Sequence, residues 1–402
     1  MTPEAGPAAG HPNPNAAPTT PPGTQPAADH SNRSSTPATQ PTADQPAPNP
    51  APATQPTVRQ PTPATQPTVR QPTPATQPTV GRVVCLGVHI LDVLGRPVTH
   101  IPPGQGRLLL DEIRVTAAGT AAGTSVDLAK LGAQVATLGA VGDDVMGDLV
   151  VALLTRYGVD ASRVARKTGQ RTSSTILPIR PNGERPALHM PGATSLLELE
   201  DIDFDVIAAA DVLHVGGPDV IGPFGGEPLR SVLEFARSRD VVVTMDLLST
   251  ADVVAWERLA LLLPYVNYFM PNEDQLANMT GTTDYVEGSR MARARGADVV
   301  LVSRAAQGAT LVTADRAVDV PAFPVELVDT TGCGDAVCAG FITGLLHGWP
   351  IEDASWLAMA AASLVASGLG SDAGIVDLAG TFEVLRHGAP ESVLGRIPAA
   401  RG

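Results

Sequence analysis

The residues with the clearest chemical potential run Val328-Asp329-Thr330-Thr331-Gly332-Cys333-Gly334-Asp335 and lead into Ala336–Gly348. Cys338, Phe341, Ile342 and Leu345 fall at i, i+3, i+4 and i+7, the stripe of an amphipathic helix. Glycines just before a helix leave its first N–H groups uncovered, and at 332 and 334 they let the backbone come close to a ligand. Aligned peptide dipoles place about half a positive charge at that end, which suits a phosphate. Asp335 falls in the first turn, where the same field keeps a carboxylate ionised. Beside a phosphate cradle, such a group can take the proton of an attacking hydroxyl. Gly-x-Gly-Asp alone would serve equally well as a helix cap. The longer string Asp-Thr-Thr-Gly-x-Gly-Asp is more than a cap requires.

Something must hold that segment in place. Short apolar runs rich in β-branched residues recur at Arg82–Val88, Val135–Val141, Val212–Val215, Val241–Met245, Tyr268–Met270 and Val299–Val302, and each predicts a buried strand. Helical patterns lie between them at Asp144–Tyr157, Pro228–Arg239, Asp252–Leu263 and Tyr285–Arg295. Strands alternating with helices imply βαβ units, so the expected class is α/β, a mostly parallel central sheet with helices on both faces. Two stretches, about 93–115 and 172–193, read instead as alternating, half-exposed strands with Gly and Pro turns such as Pro181-Asn182-Gly183. They predict a small β-sheet lid.

The string from Asp329 to Asp335 closely resembles the C-terminal signature of the ribokinase-like (PfkB) carbohydrate kinases, Asp-Thr-x-Gly-Ala-Gly-Asp. The resemblance implies that Asp335 is the catalytic base and that Gly332, Cys333 and Gly334 supply an anion hole from their backbone N–H groups. Cys333 stands where the family more often has Ala, and a backbone role tolerates that exchange. It also implies a monovalent cation, K⁺, held by Asp329 and Thr331. Further matches follow in order over residues 82–395. Gly87 and Asp92 resemble the element whose Asp bonds sugar hydroxyls, and a carboxylate at a strand end can accept two such donors. Ala118-Gly119-Thr120-Ala121-Ala122-Gly123 resembles the Gly-Gly-x-x-x-Asn signature, with Gly119 and Gly123 at the substrate and Gly123 replacing the sugar-binding Asn.

Asn272 and Gln275 resemble the Asn-x-x-Glu element that organises Mg²⁺ and the ATP phosphates through water; Gln275 stands where Glu is usual, and Glu273 or Asp274 could compensate. Ser303 and Gly308 match the ends of the Thr-x-Gly-x-x-Gly nucleotide loop. Gly183-Glu184-Arg185 and Pro191-Gly192-Ala193-Thr194 resemble the lid that closes over the sugar. The resemblance thus implies an ATP- and Mg²⁺-dependent kinase acting on a sugar hydroxymethyl, and a homodimer through the lids. Two alternatives stay open: a nucleoside (adenosine-type) kinase, for which Gly216-Gly217 would leave space, and a non-catalytic binding protein of the same fold.

Composition sets the remaining bounds. Of the 402 residues, 1–81 form a Pro/Thr/Ala/Gln-rich tail with more than half of the 38 prolines. Pro-Ala-Thr-Gln-Pro-Thr recurs there every 11 residues from Pro52, without a hydrophobic face to stack. Such a segment cannot offset the entropy of ordering its backbone and is expected to be disordered. Residues 396–402 form a short C-terminal tail. Acids and bases cancel in the first 80 residues, so the net charge of −14 falls on the rest, which argues against nucleic acid and anionic membranes as partners. No run of 18 apolar residues and no signal-type apolar stretch occur, and a cytoplasmic protein is expected. Cys85, Cys333 and Cys338 suit neither a disulfide framework nor a metal motif. Neither a P-loop nor a Gly-x-Gly-x-x-Gly dinucleotide fingerprint is present. His189 and His214 read as structural histidines in strands.

Overall fold

The computed structural model describes residues 81–249 and 253–398. The repeats of the Pro-rich tail, the end of the C-terminal tail and the first residue of the helix expected over Asp252–Leu263 lie outside the described residues.

The strands in chain order are β1 (Arg82–Gly87), β2 (Ile90–Arg96), β3 (Glu112–Ala118), β4 (Gln134–Gly142), β5 (Ala165–Lys167), β6 (Ser174–Pro178), β7 (Leu188–Met190), β8 (Val212–Gly216), β9 (Val242–Asp246), β10 (Tyr268–Phe269), β11 (Val299–Ser303), β12 (Ala309–Val312) and β13 (Ala317–Val320). Nine of them form one sheet in the order β13-β12-β11-β10-β9-β8-β1-β4-β5. It is parallel from β11 to β5, with the antiparallel pair β12–β13 on one edge.

The apolar runs are continuous because both faces of this sheet are covered. Along β1, Val83 and Cys85 enter one core while Val84 and Leu86 enter the other. Each buried Val or Leu contributes about 1.5–3 kcal/mol. The first core lies under the helices Thr120–Lys130, Cys333–Leu346 and Ile351–Ala366, the second under Glu227–Ser238, Glu273–Thr280 and Tyr285–Ala294.

Helix Cys333–Leu346 departs from the amphipathic expectation: every residue from Asp335 to Gly344 is buried. It is sandwiched between the sheet and helix Ile351–Ala366. A Cβ at Gly340 would meet Ala358 Cα at 2.7 Å, and one at Gly344 would meet Ala354 Cβ at 2.6 Å. Small residues let the two helices pack backbone to backbone.

The expected lid is present as a second sheet, β3-β2-β6-β7. Asp92, Thr175 and His189 are cross-strand neighbours on one face. Val115, Val93, Ile176 and Leu188 are neighbours on the other, where Val115, Ile176 and Leu188 stay exposed. The chain reaches β4 on one side of β1 and returns to β8 on its other side. Such a switch point opens a crevice at the carboxyl ends of the strands.

Candidate active site

A cleft of about 520 Å³ occupies that crevice, between the sheet edge and the lid. From the lid come Asp92, Thr175, Arg185 and His189, and from the end of β9 comes Asp246. Gly332, Gly334 and Asp335 form the floor.

Gly332 caps the helix with φ at +82°, in the left-handed region, and a Cβ there would run into Ser371. A Cβ on Gly334 would meet nothing within 4 Å, so the space above the first turn is open. The N–H groups of Gly332, Gly334 and Asp335 have no hydrogen-bond partner among the described residues. The N–H of Cys333 differs from expectation: it donates to the Thr330 carbonyl at 3.3 Å, and its Sγ turns toward the Ala362 carbonyl at 3.8 Å. The free amides are therefore at 332, 334 and 335, and Cys333 faces the core.

Asp335 is 7% exposed, and its pKa is pushed up to about 7 by burial, then by the Asp92 charge, against a lowering from Arg185. Desolvation thus opposes the helix field that was expected to keep this carboxylate ionised. Burial likewise raises Asp92 to about 6, against lowering by the Thr175 hydroxyl and Arg185. Asp246 is raised well above the ordinary range, first by burial and then by Asp335.

The other expected site residues divide. Gly119 lines the cleft, with φ at +90° and the Val88 carbonyl 2.7 Å from where a Cβ would stand. Gly123 does not line it: the Asp335 carboxylate rests on Gly123, and a Cβ there would meet Asp335 Cγ at 2.9 Å. The absence of a side chain at Gly123 leaves the room that the Asp335 carboxylate occupies. Asn272 and Gln275 line the cleft but are tied to each other as a capping box, with bonds of 2.9 and 2.8 Å. The Gln275 amide also donates to the Leu247 and Ser249 carbonyls at 3.0 and 2.9 Å. Glu273 and Asp274 are outside the cleft lining.

Ser303 pairs with Asn272 in a parallel bridge just beyond the lining. Gly308, at φ +92°, shapes the turn into β12 against the Val320 carbonyl, away from the cleft. Asp329 is fully buried behind Thr331. Its Oδ1 accepts from the Thr331 N–H and hydroxyl at 3.0 and 2.9 Å, and its Oδ2 from the Gly370 N–H at 3.0 Å. Gly216 and Gly217 leave no open space, since Cβ atoms there would meet Ala121 N and Val88 Cγ2 at 2.5 Å. His214 is the structural histidine expected, buried with Nδ1 2.9 Å from the Thr244 hydroxyl. His189 instead faces the cleft, 3.1 Å from the Thr175 hydroxyl. Arg185, Ala187 and His189 all line the cleft, and that two-residue spacing was the available signal.

Residues 81–377 match the sequence profile of the pfkB family carbohydrate kinases. A fructokinase of Klebsiella pneumoniae is 30% identical over 283 residues, covering 67% of this chain and 86% of that protein. Among solved structures, a ribokinase of Arabidopsis thaliana complexed with ribose and ATP superposes with a TM-score of 0.65 at 21% identity, over 77% of this chain and 99% of the other. An adenosine kinase of Sinorhizobium meliloti gives a TM-score of 0.65 at 23% identity, over 76% of this chain and 99% of the other. These two structures share the fold. No helix among the described residues is long and apolar enough to cross a membrane.

Proposed function

The chain belongs to the pfkB family of carbohydrate kinases, and we propose that it moves the γ-phosphoryl group of ATP onto a hydroxymethyl group of a sugar, with Asp335 as general base. One observation carries this reading: a buried carboxylate with a pKa raised to about 7 stands at the mouth of a helix whose amides at 332, 334 and 335 are unpaired. A base is most useful when its pKa lies near the working pH, and proton removal of this kind contributes about 10²–10⁴ in rate. The open amides face the charge that develops on the transferring group, where one donor contributes about 10²–10³. Asp92, with Thr175 and His189 beside it on the lid, offers acceptors and donors to sugar hydroxyls. Lid closure would exclude water, the competing acceptor.

The donor chemistry suits Mg²⁺ in so far as Asp246 lines the cleft and hard oxygen ligands fit that ion, although the Asp246 Oδ1 is turned inward, 3.6 Å from His214 Nε2. Asp246, with Asn272 through water, would hold the ion, which would supply neutralisation of phosphate charge. Ser303 borders the space into which the nucleotide would extend. A monovalent cation, K⁺, beside Asp329 and Thr331 belongs to the same reading. So does a homodimer through the lids, supported by the exposed apolar row Val115, Ile176 and Leu188.

The decisive experiment is turnover of ATP with ribose, fructose, 2-keto-3-deoxygluconate and adenosine. Transfer to a sugar is expected, and Asp335→Ala should abolish it while nucleotide binding persists. Near-normal turnover by that variant would remove the mechanism. A preference for adenosine would replace the sugar by a nucleoside, a reading the filled space at Gly216 and Gly217 disfavours.

A further inference from the structure

Three side chains converge beside the cleft from three different elements. His214 comes from β8, Asp246 from the end of β9, and Cys338 from helix Cys333–Leu346, one turn after Asp335. All three are buried, with exposures of 0%, 4% and 1%. One ligand atom of each lies within 4.8 Å of the others, and His214 Nε2 stands 3.6 Å from Asp246 Oδ1. Neither of those two atoms has a hydrogen-bond partner among the described residues. Buried polar atoms left unpaired are costly, and two of them aimed at one point call for a ligand between them. No ligand spacing in the sequence reveals the set, because strand register brings it together. His214 pairs with Thr244, and Asp246 follows two residues on along the same face of β9. Thr244 also fixes the imidazole, its hydroxyl 2.9 Å from Nδ1. With Nδ1 carrying the ring proton, Nε2 keeps its lone pair and turns it toward Asp246.

We propose that His214, Asp246 and Cys338 form a binding site for a divalent ion of the zinc type, an ion other than the Mg²⁺ of the transfer. Imidazole, thiolate and carboxylate are the donors that borderline-soft ions take in tetrahedral sites, whereas Mg²⁺ demands an octahedron of oxygens. At ordinary zinc–ligand lengths the donor atoms stand roughly 3.4–3.6 Å apart, a separation the imidazole and carboxylate already have. The sulfur has about 1 Å at most to move inward. Binding releases the Cys338 thiol proton to solvent. The thiolate and the Asp246 carboxylate then balance both charges of the ion, which a buried ion requires. Asp246 lines the cleft, so the cleft supplies an entry path and a water for the fourth position. A filled site holds Asp246 in its inward orientation and withdraws it from Mg²⁺, so zinc inhibits the transfer. That consequence, unlike the binding itself, rests on the kinase reading given above.

The test uses the full chain, with Zn²⁺ and Co²⁺ alone as probes. In excess Mg²⁺ the wild type should bind a single Zn²⁺ per chain. Co²⁺ in the same site should show the sulfur-to-cobalt charge-transfer band and the intense visible bands of tetrahedral thiolate ligation. Cys338→Ala and His214→Gln should each weaken Zn²⁺ binding by more than the about 10–100-fold that loss of an outer partner costs. Thr244→Val, which removes only such a partner, should weaken it by about 10–100-fold. Thermal unfolding without metal shows whether each variant is folded, and the cobalt spectrum of the wild type decides the ligand set where one is not. Zn²⁺ at stoichiometric concentration should inhibit the wild type, while Cys338→Ala keeps the rate it has without Zn²⁺. Binding that survives both ligand variants, or a cobalt spectrum without sulfur ligation, would mean an adventitious ion only and overturns the proposal. Specific binding that leaves turnover intact overturns the withdrawal of Asp246. Should the wild type phosphorylate none of the acceptors, the kinase reading fails, and the binding and spectral results still decide the site.

Discussion

Replacing Gly123 by Ala tests how closely the base is held. The Asp335 carboxylate lies on the bare Cα of Gly123, and an added methyl would stand 2.9 Å from Cγ, with Oδ2 closer still. Ordinary contact begins at 3.4 Å, so Cγ must retreat by half an ångström, and the carboxylate oxygen, at the end of the lever, by about twice that. A misplacement of roughly 1 Å at a reacting group costs about 10²-fold in rate. Stability should move the other way. Gly123 lies inside helix Thr120–Lys130 with no positive φ, where Ala is favoured over Gly by about 1 kcal/mol. The atom that must yield belongs to a side chain, so most of that gain should survive. Thermal unfolding and steady-state kinetics on the same preparation separate the two effects. The expected outcome is an unchanged or slightly raised Tm with kcat down about 100-fold. If Gly123→Ala turns over like the wild type, the base is not where its rate depends on that contact, and the assignment of Asp335 loses its geometric support.

Three further outcomes follow from the same geometry. Since Asp335 must be ionised to accept a proton and its pKa stands near 7, kcat/KM should fall as pH drops through about 7. The sign is opposite for stability: this carboxyl is raised above its ordinary 3.8, so ionising it as pH rises toward 7 weakens the folded state. In Asp92→Asn the acid limb of the pH profile should shift downward, because a charge that raises Asp335 is gone; an unmoved limb would assign that limb to another group. Gln275→Ala removes the capping bond to Asn272 and both bonds to the β9–α loop carbonyls of Leu247 and Ser249. Each buried hydrogen bond lost costs about 1 kcal/mol, so chemical denaturation should report a loss of about 2–3 kcal/mol. No loss would mean that the amide works on the nucleotide instead.

How much of this was legible depends on where each feature is encoded. The parallel strands announce themselves because a strand covered on both faces needs an unbroken apolar run, as in β1. The hole is legible for a related reason: it is built from consecutive residues, 329–335, so its shape is local. Helix Thr120–Lys130 carries no such signal, since Thr120 through Leu128 are all buried and no face is left to be polar. The antiparallel pair β12–β13 escapes because it breaks the alternation that reveals the rest of the sheet. Gly123 is misread for a subtler cause. Its register in the motif points to substrate, but the face of the helix it occupies is set by packing against Asp335. The same holds for the ionisation of Asp335, where the helix field is readable from position and the burial is not. Asp246, at the end of β9, reaches the cleft from a part of the chain distant from the other site residues, and only the order of the strands brings it there.

The lid is joined to the sheet by more than one strap of chain. β2 leaves almost directly from the end of β1, and β3 returns through Gly119 straight into the helix on which Asp335 leans. Nothing soft separates the flap from the bench that supports the base. On the proposed mechanism, movement of the flap would be passed through Gly119 to Thr120 and so to the helix against which Asp335 rests, linking the opening of the cleft to the position of the proposed base.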